Sequence, residues 1–321
     1  AAVRLLPPAV GAHGAWASED NDLPPARLSL SLHQGLLGLL QDVSVRAGTG
    51  RDLGLGEITL QLERALRLMA REEMGLMRLA RYERYDAFTF GHSLQVCLLA
   101  MNFGRKLEAD EETILRIGRA AFLHDIGKTR VPFEIVHSTG RLSEAEMAEM
   151  RLHPRHGAEI LLESSDPDPM AVAVAFGHHQ GEGGAGYPPL RHPTAHGAAT
   201  KIVKICDVYE ALTAVRPYKA PLAPPSAYKI MLGMQGAFDQ ALLGRFIAAN
   251  GLFPTGIRVR LSDGRAARVY RQSRRIDRPL VALEGDEEAV LDLCSPEGGG
   301  ATVAATLPEE EIGRASCRER V

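Results

Sequence analysis

The chain has 321 residues, 45% of them hydrophobic and 24% charged, enough to bury a real core in one large domain with accessory pieces. A formal net charge of −3 removes the electrostatic reason to expect long nucleic acid as a partner, while leaving room for a small anionic ligand. Cys97, Cys206, Cys294 and Cys317 show neither paired nor C-x-x-C spacing, so neither a disulfide framework nor a zinc knuckle is expected and the compartment reads as reducing.

Residues 1 to about 30 are rich in Ala, Pro and Gly without periodicity, and the region 1–56 is expected to be irregular to helical, a lead-in or the remnant of a truncated regulatory domain. The opening AAVRLLPPAVGAHGAW carries prolines where a signal peptide needs an apolar helix, and no apolar run of about 18 residues occurs, so no membrane segment is evident and the chain reads as cytoplasmic. It begins without Met, which leaves room upstream for a sensor or membrane segment. Apolar residues recur at helical spacing over Leu28–Val45 and again from about Glu57 to Arg84, predicting helices, the second connecting (57–85) to the next domain.

From about 86 to 250 the pattern is continuously helical, with loops at His137–Leu142, Ser164–Pro169, Gly181–Thr194 and Arg216–Pro225. Ser143 and Glu146 form a capping box expected to start the helix that carries His153. After Asn250-Gly251 the character changes. GIRVRLSDGRAARVY alternates around Asp263-Gly264, a hairpin signal, and VALEG and VLDLC read as further strands of a small β extension over 251–310. The last segment, EIGRASCRERV, resembles the translation of a sequencing adapter. Residues 311–321 are therefore excluded from the fold as an artefact, Cys317 with them.

Of the eleven histidines, nine lie between His92 and His196. The informative ones are His92, the pair His124-Asp125, His153, the doublet His178-His179 and then Asp207, each in or at the end of an apolar run. One such histidine alone would be read as a hydrogen-bonded core residue; five together with two aspartates point to metal, because buried imidazoles and carboxylates are costly unless paired or metal-bound. Two divalent cations with one shared hydroxide would leave this set with a net charge near +1, suited to a phosphodiester. A carboxylate next to a ligand histidine, as Asp125 is, can bridge two cations. Mixed N/O donors without thiolate suit Fe or Mn and do not exclude Zn or Ni.

The segments HSLQV, FLHDIGKTRVP, MRLHPRHGAEIL, HHQGEGGAGYP and KICDVYEALTAVRPYK resemble, in order and spacing, the successive motifs of HD-GYP phosphodiesterases over about Asp86–Asn250. The resemblance implies a mainly α, all-helical HD bundle, here with a small C-terminal β unit. It implies hydrolysis of cyclic di-GMP to the linear dinucleotide or GMP in second-messenger signalling. Carried over, His92, His124, Asp125 and Asp207 serve one metal, and Asp125 bridges to a second held by His153, His178 and His179. Lys128, one helical turn beyond His124, faces the phosphate, while Tyr187, Arg216 and Lys219 match positions that contact the dinucleotide. A diguanylate cyclase or other signalling protein at the GYP loop, and a homodimer, are compatible partners.

Two departures are visible. Where members with a third metal carry Glu, four residues before the first His, this chain has Phe88, so two metals are expected. The loop pattern HHE-x-x-DG-x-GYP reads HHQGEGGAGYP, with Gln180 for Glu and Gly183 for Asp, so a mobile loop without acidic anchors and a weakened substrate grip are expected. Outside this set, His156 reads as an outer or surface residue, His137, His192 and His196 as loop residues, and Cys97 and Cys206 as packing residues. An enzyme for another phosphate ester, or a regulatory binding module, are the alternative readings.

Overall fold

A computed structural model describes residues 25–71, 77, 88–138, 140–190, 196–214 and 221–307. Arg216, Lys219, His192, the 311–321 tail, most of the connecting segment 72–85 and the side chain of Phe88 lie outside the described residues.

Two N-terminal helices come first, α1 (Pro25–Gly48) and α2 (Leu55–Arg71). Each buries a stripe at helical spacing: Leu36, Leu39, Leu40 and Val43 on α1, and Ile58, Leu62, Ala65, Leu66 and Met69 on α2. These stripes join the same core as Leu98 and Phe103 of α3 (Phe88–Lys106), Ile117 and Phe122 of α4 (Glu111–Phe122), and Val203 and Tyr209 further on. The core-facing side of α3 is apolar over several turns, through Leu94, Val96, Cys97, Leu98 and Met101, which makes it the central helix of the bundle. Asp110 caps α4 by accepting from Thr113 N–H at 2.8 Å.

After α4 the chain tightens into a 3-10 turn, Ile126–Arg130, then the single turn α5 (Phe133–Val136) and α6 (Glu144–Met150). The capping box at Ser143 forms with both of its hydrogen bonds, Glu146 N–H to Ser143 Oγ at 3.3 Å and Ser143 N–H to Glu146 Oε2 at 2.8 Å. It does not start the helix of His153, however. α6 ends at Met150, and His153 opens a separate helix, α7 (His153–Leu162). Pro154 accounts for the break, because proline is accommodated in a first turn but removes a bond and clashes inside a helix.

α8 (Pro169–Gly177) is capped by Asp168, which also receives Arg119 Nε at 3.1 Å and so fastens α8 to α4. α9 (Ala198–Thr213), α10 (Pro224–Gly233) and α11 (Gln240–Asn250) complete the bundle. Among the described residues no helix is long and apolar enough to cross a membrane.

The C-terminal unit is an antiparallel sheet in the order β4-β3-β2-β1-β5. β1 (Arg258–Leu261) and β2 (Ala266–Arg271) flank the expected Asp263-Gly264 turn, where Gly264 takes φ +90°, a conformation that favours glycine. β3 (Leu280–Leu283) and β4 (Asp286–Asp292) follow, and β5 (Val303–Thr306) returns to pair with β1. Val259, Leu261, Val269, Val281 and Leu293 form its own apolar core.

Candidate metal centre

Five separate segments deliver their donors to one buried point. His92 comes from the first turns of α3, His124 and Asp125 from the turn after α4, and His153 from the start of α7. His178 and His179 follow the end of α8, and Asp207 sits mid-way along α9. The ligand atoms fall into two sets, Asp125 with His153, His178 and His179, and His92 with His124 and Asp207, the atoms of each set lying within 4.8 Å of one another.

Asp125 stands between the sets and divides its oxygens. Oδ2 faces His124 Nε2 at 3.5 Å and His92 Nε2 at 3.8 Å, while Oδ1 faces His153 Nε2 at 3.3 Å and His178 Nε2 at 3.8 Å. His92 Nε2 also lies 3.1 Å from Asp207 Oδ1.

The other ring nitrogens are already committed. His124 Nδ1 is 2.7 Å from Ala121 O, His153 Nδ1 is 2.7 Å from Met150 O, and His178 Nδ1 is 2.9 Å from Ala175 O. A carbonyl can only accept, so Nδ1 carries the proton and each Nε2 lone pair is turned inward. Two consequences show that a cation fits here. His124 Nε2 and Asp125 Oδ1 are buried without a hydrogen-bond partner, and such groups are costly when left unpaired. His153 Nε2 and His178 Nε2 face each other at 3.3 Å, lone pair against lone pair in this tautomer, an arrangement that a shared cation relieves.

The electrostatics agree. Burial lowers the imidazoles of His124 and His178 below the usual range and takes His179 to about 4 and His153 to about 3, so all four are neutral donors at pH 7. Burial pushes Asp125 and Asp207 upward. Lys128 and the surrounding imidazoles outweigh it for Asp125, and His92 does so for Asp207, holding both below the ordinary carboxylate range. His92 differs, because burial lowers it but the Glu210 and Asp207 carboxylates more than reverse this, to about 10. The same negative field would hold a cation, which must displace that proton to bind.

Three features escape the sequence reading. Glu210, one turn beyond Asp207 on α9, accepts His92 Nδ1–H in a short, buried contact, the outer carboxylate that orients a metal-binding imidazole. Gly127 carries no side chain because a Cβ there would meet His153 O at 1.9 Å and Gly157 N at 2.4 Å; the turn bearing His124 and Asp125 is pressed against α7. Lys128 lies on a 3-10 turn, not on the α-helical turn expected, and its Nζ donates to Asp125 Oδ2 at 2.5 Å.

The expectation of a loop without acidic anchors is corrected by its ion pairs and hydrogen bonds. Gln180 is buried, donates from Nε2 to Pro188 O at 2.6 Å and bridges to Gly186. Glu182, not the Gly183 position, supplies the acidic anchor, 3.1 Å from Lys201 Nζ, which also holds Asp239, the cap of α11, at 3.0 Å. Lys204 Nζ donates to Gln180 O at 2.6 Å. Gly186, at φ +101°, approaches His179 O so closely that a Cβ would sit 2.2 Å away. The loop thus presents Tyr187, whose ring stacks on His179 at 4.5 Å. His137 stacks on Phe133, and Cys97 and Cys206 are buried core thiols. His156 and His196 are partly buried and outside both donor sets.

A family model described as an HD domain matches residues 67–242. The chain belongs to the HD-domain family. HD-domain phosphohydrolases bind divalent metals, and the His/Asp cluster of this HD domain is able to hold one. Among curated proteins, the chain is 35% identical over 202 residues to cyclic di-GMP phosphodiesterase PA4108 of Pseudomonas aeruginosa, covering 63% of this chain and 49% of that one. It is 33% identical over 168 residues to the cyclic di-GMP phosphodiesterase response regulator RpfG of Xanthomonas campestris, covering 52% and 44%. It is 33% identical over 144 residues to 3'3'-cGAMP-specific phosphodiesterase 3 of Vibrio cholerae, covering 45% and 31%. This HD-domain chain spans about half or less of the length of those relatives. The fold is shared with Bd1817, an HDG"Y"P protein from Bdellovibrio bacteriovorus, at a TM-score of 0.58 and 16% identity, over 71% of this chain and 73% of that one.

Proposed function

We propose that the chain is a metal-dependent phosphodiesterase that hydrolyses a cyclic dinucleotide, cyclic di-GMP in the first instance, to the linear dinucleotide or GMP. The observation that carries this reading is the division of Asp125, one oxygen toward each donor set. His92, His124 and Asp207 would hold one divalent cation, His153, His178 and His179 a second, with Asp125 shared, and the N/O donor set favours Fe or Mn. When bound, such ions supply Lewis acidity toward the attacking water and toward the phosphate oxygens.

The chain's own residues do the rest. Hydrolysis forms a bond from water oxygen to phosphorus while the bond to a ribose oxygen breaks, and charge accumulates on the non-bridging oxygens. The Lys128 ammonium, beside Asp125, is placed to meet that charge. Glu210 fixes the His92 ring, and Tyr187, stacked on His179, offers its hydroxyl to the dinucleotide. Free Cys97, Cys206 and Cys294 are consistent with a reducing cytoplasm. Because relatives are named for cyclic di-GMP and for 3'3'-cGAMP, the substrate panel must contain both.

The test is elemental analysis of anaerobically purified protein together with turnover of both cyclic dinucleotides. About two metal ions per chain and release of linear dinucleotide are expected. Absence of bound metal with none taken up on reconstitution, or metal uptake without turnover of any cyclic dinucleotide, would overturn the reading.

A further inference from the structure

Arg151 occupies the turn between α6 and α7, two residues before His153, and is exposed. Its guanidinium carbon lies 5.7 Å from the ring centroid of Tyr187, which itself stacks on His179. Arg130 and Arg155 are satisfied by carboxylates, the first by Glu159 and Glu163 and the second by Glu159. Among the described residues Arg151 has no carboxylate in ion-pair reach, so its contact is the Tyr187 ring. Lys128, the other cation at the centre among the described residues, pairs with Asp125 and serves the reacting phosphate in the function proposed above.

We infer that Arg151 is a substrate-binding residue that takes the second, non-reacting phosphate of a cyclic dinucleotide, an inference that rests on the function proposed above. A cyclic dinucleotide carries two phosphodiesters. The reacting one must lie at Asp125 and the two donor sets, and the other then needs a cation away from the metals but within the same mouth. Arg151 stands against Tyr187, which stacks on His179, with five N–H donors and, among the described residues, no carboxylate competing for them. A cation over an aromatic face keeps its charge and in-plane donors, so the guanidinium can rest on Tyr187 and still receive an anion. Its neighbours one helical turn away, Met147, Ala148, Pro154 and Arg155, include no carboxylate, so Arg151 lacks the i,i+4 pairing that occupies Arg155.

The experiment compares Arg151→Ala and Arg151→Lys with the wild type, all as the metal-loaded chain. Their substrates are cyclic di-GMP and bis(p-nitrophenyl) phosphate, a diester with no second phosphate. Titration calorimetry with a non-hydrolysable phosphorothioate cyclic di-GMP supplies a direct affinity. Arg151→Ala should raise KM and the phosphorothioate Kd about tenfold, the loss of one charge-assisted hydrogen bond, with kcat little changed. Turnover of the small diester should not change, and Arg151→Lys should recover part of the affinity. The effect should persist in a Tyr187→Ala background.

An unchanged KM and Kd, an equal loss toward the small diester, or no added effect in the Tyr187→Ala background would each overturn the inference, the last by showing that Arg151 acts only through Tyr187. Failure of the wild type to hydrolyse any cyclic dinucleotide, with the small diester still cleaved, would overturn the underlying functional reading and this inference with it.

Discussion

The helical bundle and the β unit solve burial in opposite ways. The β unit encloses Val259, Leu261, Val269, Val281 and Leu293, and its buried Arg258 is matched by Glu284 at 2.8 Å. The bundle buries His92, His124, Asp125, His153, His178, Asp207 and Glu210 around a single point and leaves His124 Nε2 and Asp125 Oδ1 without hydrogen bonds. A core built for stability alone would not retain such groups, since burying polar atoms without partners costs free energy. Unpaired buried atoms occur in the β unit as well, at Gln272 Oε1 and Arg278 Nε, so what sets the bundle apart is the gathering of its buried ionisable side chains at one point.

The strongest way to break this contrast is at Asp125. Asp125→Ala removes the carboxylate shared by both donor sets, and cyclic di-GMP turnover should fall by at least about 10³-fold, with metal content falling too by elemental analysis. Near wild-type turnover would make Asp125 merely structural. Gly127→Ala tests packing within the same region. With backbone atoms at 1.9 and 2.4 Å from the new Cβ, the turn must separate from α7, at a cost of about 3 kcal/mol or more in denaturant unfolding. An unchanged midpoint would show that the close approach is not required.

Glu210→Ala sharpens the comparison without touching a donor atom, since it frees the His92 ring. Metal affinity should fall by about 10- to 100-fold in competition with a chelator, with helicity retained; equal affinity would remove Glu210 from the centre. Val269→Ala is the counterpart in the β unit. It should cost about 2 kcal/mol of stability and leave metal content and kcat where they were, and a fall in metal content would mean that the two regions are less independent than their cores suggest. The smallest effect is expected from Lys201→Ala, which releases Glu182 and Asp239 together. A rise in KM of about threefold with kcat preserved is expected from losing partly exposed ion pairs, and a drop in kcat alone would contradict a loop-holding role.

The residues of the two clusters that could hold a metal were legible because metal chemistry restricts residue type, and the HD pair, the histidine doublet and the aspartate in an apolar run stand out one at a time. The groups that orient and hold them were harder to see. Glu210 lies three residues after Asp207, on the same helix face, so the spacing was available, but nothing in the sequence tied it to His92. Lys201 and Lys204 sit about twenty residues from the loop they pin, and only the packing of α9 against that loop joins them. Gly127 looked ordinary, because the close approach of α7 is a tertiary fact. Within the fold, the capping box at Ser143 was read correctly while the break that Pro154 signals before His153 was missed, and β5, a strand of four residues soon after a run of glycines, offered no alternation to read. The expected contacts of Arg216 and Lys219 lie outside the described residues.

The donors are spread along the chain in a way that bears on assembly. His92 meets a partner 118 residues away in Glu210, and each donor set draws on segments that close long loops. Contacts of such separation form late and slowly, after loop-closure entropy has been met. Filling of the His92, His124 and Asp207 set should therefore report docking of α9, whereas a nascent chain that ends before α9 already carries all four members of the Asp125, His153, His178 and His179 set.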